Sequence, residues 1–166
     1  MWCYLNGSNS GLTAGDQTSL EQNEYAQAVA ANEEKVHEEF LRKILPCTSP
    51  LHIPQNASIK EEHKVGYEQV KYTWANGDYN YTSRWHTRTP EAPPEQGNSW
   101  VVERKRPGIG YGKNARPLIH EVMIKTDNGF KWVPFSEWKK AISARKTGTS
   151  SEAQKELLKN GHWPDN

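Results

Sequence analysis

The spacing of apolar residues changes its period along the chain. Between residues 18 and 45, Tyr25, Val29, Val36, Phe40 and Ile44 recur at helical steps, with Glu33, Glu34, Glu38 and Glu39 on the other side. That pattern predicts an amphipathic α-helix. Thr18 stands three residues before Glu21, the spacing of a capping box, and Pro46 is expected to end the helix. Residues 1–17, rich in Gly, Ser and Asn, predict a loose terminus. Prolines at 46, 50 and 54 mark residues 46–58 as a linker.

Beyond residue 66 the period shortens. Runs of β-branched and aromatic residues predict strands over 67–75, 79–88, 98–106, 118–126 and 130–133. Asn76-Gly77-Asp78 is a strong hairpin signal, and Asp127-Asn128-Gly129 turns the fourth strand back. Residues 90–97 form a proline-stiffened loop, and residues 108–114 a mobile glycine-rich one. Two helices close the chain. One opens at Pro134 and carries Phe135, Trp138 and Ile142; the other opens at Ser150 or Ser151, carries Leu157 and Leu158, and stops at Asn160-Gly161. The expected class is α+β: an N-terminal helix, a four- to five-stranded antiparallel sheet and two short C-terminal helices. The expected division is a connector over residues 1–59 and a sheet domain over 60–166. Deleting residues 1–58 is then expected to leave activity and partner binding intact.

Composition sharpens this picture. Leu, Ile, Val and Phe supply only 27 of 166 residues, a share low enough to suggest disorder. The formal net charge of +1 and the seven Trp and seven Tyr argue instead for a small, aromatic-heavy core. No apolar run approaches the roughly 18 residues that span a bilayer, so no membrane partner is expected. Residues 1–11 carry neither the basic nor the apolar stretch of a signal peptide. Cys3 and Cys47 make neither a disulfide framework nor a zinc site, and their pairing stays open. Charge divides unevenly: residues 1–65 hold 5 Lys/Arg against 9 Asp/Glu, while residues 66–166 hold 16 against 11. The second part is therefore the one suited to an anionic ligand.

Alternation over residues 82–88 places Thr82, Arg84, His86 and Arg88 on one face of a strand. Arginine is seldom buried unpaired, so that face is either solvated or turned to an anion. Guanidinium groups bind phosphate oxygens, and a histidine can move the proton of a ribose 2′-hydroxyl. Two neighbouring guanidinium groups, Arg84 and Arg88, are expected to keep His86 neutral. His120, in a row with Leu118, Val122 and Ile124, is either a core residue or the second histidine of an acid–base pair. Arg104, Lys105, Arg106, Lys113 and Arg116 extend the basic footprint, with Trp85, Trp100 and Tyr111 placed among it. Such a pattern suits RNA, whose splayed bases stack on rings. The rival chemistry is a metal-dependent deoxyribonuclease using Glu103-x-Lys105, with Asp78 as an upstream carboxylate. The rival of another class is a non-catalytic RNA- or protein-binding module.

Residues 72–88, with Trp85-His86-Thr87-Arg88-Thr89-Pro90, lead to Gly97-Asn98-Ser99-Trp100-Val101-Val102. Trp132-Val133-Pro134 follows, then Gly148-Thr149 and Gly161-His162-Trp163. This series resembles the C-terminal toxin modules of bacterial polymorphic toxins, of the Rhs type or of contact-dependent growth inhibition. A helix before a twisted antiparallel sheet is also similar to the barnase–colicin–RelE group of ribonucleases. The resemblance implies a secreted or surface-delivered toxin acting in the cytoplasm of a target bacterium. Its implied partners are RNA, transfer RNA among the candidates, and an acidic cognate immunity protein. The implied reaction is ribonucleolytic and needs no metal or cofactor. His86 and His120 would move protons, while Arg84, Arg88 and Arg104 stabilise charge on phosphorus. Lys105, Arg106, Lys113, Arg116, Trp85 and Tyr111 would hold the substrate.

Overall fold

The computed structural model describes residues 13–166, so Cys3 and most of the terminus expected to be loose lie outside the described residues. Two compact units divide the chain, Met1–Phe40 and Leu41–Asn166. The first contains helix α1 (Ala14–Glu39), opened by a capping box in which Thr13 and Asp16 satisfy each other's backbone N–H. The cap therefore falls earlier than Thr18–Glu21. The apolar stripe predicted for this helix is exposed: Tyr25 keeps 74% of its surface and Val36 58%.

The second unit is built on a sheet. Its strands are β1 (Ser58–Lys64), β2 (Tyr67–Asn76), β3 (Tyr79–His86), β4 (Ser99–Arg106), β5 (Ile119–Thr126) and β6 (Gly129–Pro134). They lie in chain order, each antiparallel to its neighbours. Helices α2 (Phe135–Lys146) and α3 (Glu152–Gly161) follow, and a two-residue strand β7 (Trp163–Pro164) pairs with the start of β4. The fold is α+β, an N-terminal helix, an antiparallel sheet and two short C-terminal helices, with two strands more than expected. Sequence SIKEEHK of β1 is almost wholly polar, so period-2 hydrophobicity cannot reveal it, and β7 is too short to carry a pattern. Among the described residues, no helix is long and apolar enough to cross a membrane.

Both faces of the sheet are covered. On one, Val70, Tyr72 and Trp100 pack against Leu41, Leu45, Ile53 and Ala57. The stretch read as a linker is thus part of the core. Polar contacts pin it down: the Tyr72 hydroxyl donates to the Leu41 carbonyl at 2.5 Å, Trp100 Nε1 donates to Thr48 Oγ1 at 2.9 Å, and Arg42 Nη1 donates to the Gln55 and Ala57 carbonyls. On the other face, Val101, Val122, Ile124 and Val133 pack against Trp138, Ala141 and Leu158 of α2 and α3. Strand β4 contributes to both layers, and its first five residues are all buried.

The boundary expected near residue 60 accordingly moves back to Phe40/Leu41. Removing residues 1–58 takes Leu41, Leu45, Ile53 and Ala57 out of the core and uncovers Trp100. Truncating a buried Leu or Ile alone costs about 2–5 kcal/mol, against a total margin of about 5–15 kcal/mol. A chain beginning at Leu41 is expected to melt cooperatively, followed by near-ultraviolet circular dichroism, whereas one lacking residues 1–58 is not.

Candidate active site

Helices α2 and α3 cover the face that carries Arg84 and His86 of β3, with Ser99, Val101 and Glu103 of β4 beside them. A pocket of about 470 Å³ opens on this face where β3 ends and β4 begins. Its lining includes Lys64, Arg84, His86, Arg145, Lys146 and His162. Among the described residues that line it, Glu91 is the one carboxylate. Arg84 is ion-paired with Glu103 at 2.9 Å and Lys64 with Glu62 at 3.3 Å, which leaves Arg145 and Lys146 beside Glu91 as the cations of the lining without a salt bridge among the described residues.

His86 is buried, and its Nδ1 lies 2.8 Å from the Thr87 carbonyl. A carbonyl only accepts, so Nδ1 carries the proton and Nε2 keeps its lone pair. His162, first residue after α3, repeats the arrangement: it is buried, and Nδ1 donates to the Leu158 carbonyl at 2.6 Å. The two rings meet edge to face with centroids 5.4 Å apart. Among the described residues, neither Nε2 has a hydrogen-bond partner. Burial pushes the His86 pKa down against its bond to Thr87, and Arg84 and Arg145 push the same way. The direction agrees with expectation, but burial leads and the second guanidinium is Arg145, not Arg88. Burial likewise drives His162 down to about 3, with His86 and Arg145 assisting. Both imidazoles are neutral bases at pH 7.

Glycine makes this approach possible. A Cβ on Gly161 would lie 2.2 Å from Trp138 and 2.9 Å from Ile124, so only glycine lets the end of α3 reach α2 and the sheet. Trp138 in turn packs 5.1 Å from the His162 ring. Buried polar atoms without partners gather nearby: Thr89 Oγ1 lines the pocket, Ser99 pairs with His86 in the ladder, and Gln96 offers Oε1 to Arg145 but leaves Nε2 unmatched. Each such atom costs about 1–3 kcal/mol, a penalty native proteins tolerate chiefly where function requires it.

The other expected site residues are dispersed. His120 shares the face of His86, but it pairs with Lys105, six residues along β4 from the partner of His86. At about 3.3 Å per residue that is roughly 20 Å, too far for a shared proton path. It stacks on Phe135 at 3.9 Å, and its Nε2 lies 3.7 Å from Glu103. Arg104 sits on the opposite face, ion-paired with Glu121 at 2.9 Å. Arg88 donates to the Ala92 and Pro93 carbonyls and so braces its loop. Trp85 lies on the Trp100 side and donates Nε1 to Asp165, while Trp100 is wholly buried. Lys105, Arg106, Lys113, Arg116 and Tyr111 belong to the far end of β4 and the loop beyond it. Tyr111 is 98% exposed there, and Arg116 pairs with Asp78 at 3.3 Å.

That last pair bears on the metal-dependent alternative. Thr82 pairs with Glu103, so Asp78 stands about 13 Å along the strand from it, and Glu103 is held by Arg84 at 2.9 Å. Among the described residues, no group of three His, Cys, Asp or Glu side chains could hold a metal ion. Comparison with protein-family models, curated proteins and solved structures finds no match.

The sequence does carry one trace of His162, an Asn-Gly helix stop immediately before it, but nothing that says where the helix stops in space. Two outcomes follow from its position. Gly161→Ala is expected to lower stability by about 1–3 kcal/mol or more, read from urea midpoints. Because the folded pKa of His162 lies below its unfolded value near 6.5, the unfolded chain takes up the proton first. Stability is therefore full above pH 6.5 and lost as pH falls toward 3. Between pH 7 and pH 5 the loss from this group is about 2 kcal/mol, and His162→Gln should remove it.

Proposed function

We propose that residues 41–166 form a ribonuclease that cleaves RNA through the ribose 2′-hydroxyl without a metal ion. The observation that carries this reading is the His86–His162 pair: two imidazoles with open Nε2 atoms in a pocket lined by Lys64, Arg84, Arg145 and Lys146. His162, unprotonated in the free protein, takes the proton of the 2′-hydroxyl once the docked phosphate raises the basicity that burial holds low. The 2′-oxygen bonds to phosphorus as the bond to the 5′-oxygen breaks, and a cyclic phosphate remains. His86 supplies the proton to the departing 5′-oxygen. A docked phosphate favours its protonated form by direct attraction, opposing the burial that disfavours it. The guanidinium groups of Arg84 and Arg145 stabilise the charge that builds on the phosphoryl oxygens.

The resemblance to polymorphic-toxin modules gives the setting. In it the chain is delivered to a neighbouring bacterium and neutralised by an acidic immunity protein seated over the basic pocket. Charge complementarity would speed that encounter.

Total RNA incubated with the full chain in excess chelator is expected to be cut, and His86→Ala and His162→Ala should each lower the rate by about 10²–10⁴-fold. Since the free enzyme must hold a proton on a histidine whose pKa is depressed, kcat/KM should fall as pH rises, with the fall beginning below the ordinary histidine value near 6.5. A His86→Ala chain with full activity, or cleavage that appears only with divalent metal, contradicts the proposal.

A further inference from the structure

The sheet face turned away from the histidine pocket carries a second arrangement, at the other end of the strands. Trp74 of β2 stacks on Tyr81 of β3 with centroids 5.6 Å apart and planes within 13°. Tyr81 lies 6.3 Å from Trp132 of β6, and Phe130 meets Trp132 edge to face at 6.0 Å. The Arg104 guanidinium sits between Tyr79 and Trp132, 4.5 and 4.3 Å from their ring centroids. A groove of about 460 Å³ runs along Trp74, Tyr81, Phe130 and Trp132, with the exposed polar side chains of His52, Asn56 and Asn76 also lining it.

Flat rings with hydrogen-bonding groups beside them suit a ligand that is itself flat and polar at its edges. Charge narrows the choice. Arg104 is matched by Glu121, but Arg106 and Lys125 lie on the same face, and neither has an acidic partner among the described residues. Phe130 leaves 52% of its surface open, so the ring row is not closed by the fold. Rings beside unmatched cations are the means by which proteins hold unpaired bases, stacking giving affinity and cations taking the phosphates.

We propose that this shelf binds single-stranded nucleic acid, stacking bases on Trp74, Tyr81 and Trp132 and engaging phosphates with Arg106 and Lys125. It is separate from the pocket. Tyr81 and His86 stand five residues apart on β3, about 17 Å at strand rise, and the two sites occupy opposite faces.

The test uses the full chain carrying His86→Ala, so that binding is read without cleavage. Fluorescence anisotropy follows a labelled twelve-residue oligouridylate, the matching oligodeoxythymidylate and a twelve-pair RNA duplex. Both single strands should bind, and the duplex at least about tenfold more weakly, since paired bases offer no free faces. Adding Trp132→Ala should weaken single-strand binding about tenfold. Phe130→Ala, at an exposed site that does not threaten folding, should weaken it several-fold. Arg106→Gln with Lys125→Gln should flatten its salt dependence. Unchanged melting confirms that each variant is folded. Equal binding by parent and shelf variants, or preference for the duplex, overturns the proposal. Failure of RNA cleavage at the pocket would not touch these results, nor would failure of the shelf touch the pocket.

Discussion

Along one edge, β4 is hydrogen-bonded to β3 from Ser99 to Lys105. Its other edge is divided, with β7 taking Ser99 and Trp100 and β5 taking Glu103 to Arg106. Two strands cannot share one edge unless the chain between them leaves the sheet and returns. After β6, helices α2 and α3 make that excursion, and the return delivers the end of α3 to the end of β3. Trp163 falls opposite Trp100, on the face of the 41–57 segment, so the preceding residue, His162, falls on the face of His86. The histidine pair follows from where β7 inserts, and not from any local feature of either histidine.

The same strand explains why a chain so poor in aliphatic residues can fold. Trp100 and Val102 face one layer, Val101 and Glu103 the other, and all four are buried. Each large ring removes about 150–250 Å² from water, and at about 25 cal/mol per Å² that is roughly 4–6 kcal/mol of gross stabilisation for Trp100 alone. Against this stand two buried histidines that lose stability in acid, several unmatched polar atoms, and Arg84, which needs Glu103 as counter-ion. Most of these groups lie near the end of β3 and the start of β4, while one unmatched atom, Arg106 Nε, lies at the far end of β4.

What the sequence could reveal divides along the range of the interactions. Local signals were legible: Asn76-Gly77 makes the β2–β3 hairpin with Gly77 at φ 61°, and Ser151 with Gln154 caps α3. Alternation put Arg84 beside His86 and separated Trp100 from Val101. Long-range signals were not. Prolines at 46, 50 and 54 looked like a linker, yet Pro46 opens a short 3-10 turn, Leu45–Thr48, whose Leu45 is buried. Arg104 could not be separated from Arg84, because both faces of β4 mix apolar and charged residues and only the register tells which one meets β3's histidine. His120 looked like the partner because it too sits on a strand. His162 did not, because its neighbour is chosen by the divided edge of β4.

In the proposed reaction the two histidines act on an attacking 2′-hydroxyl. The most direct measurement is therefore made on an oligodeoxynucleotide holding a single ribonucleotide, incubated with the full chain in excess chelator. A single cut on the 3′ side of the ribonucleotide, leaving a 2′,3′-cyclic phosphate, is the predicted result, with the 2′-O-methyl version left whole. Cleavage of an all-deoxy strand, or of the ribonucleotide site only after divalent metal is added, would contradict the account.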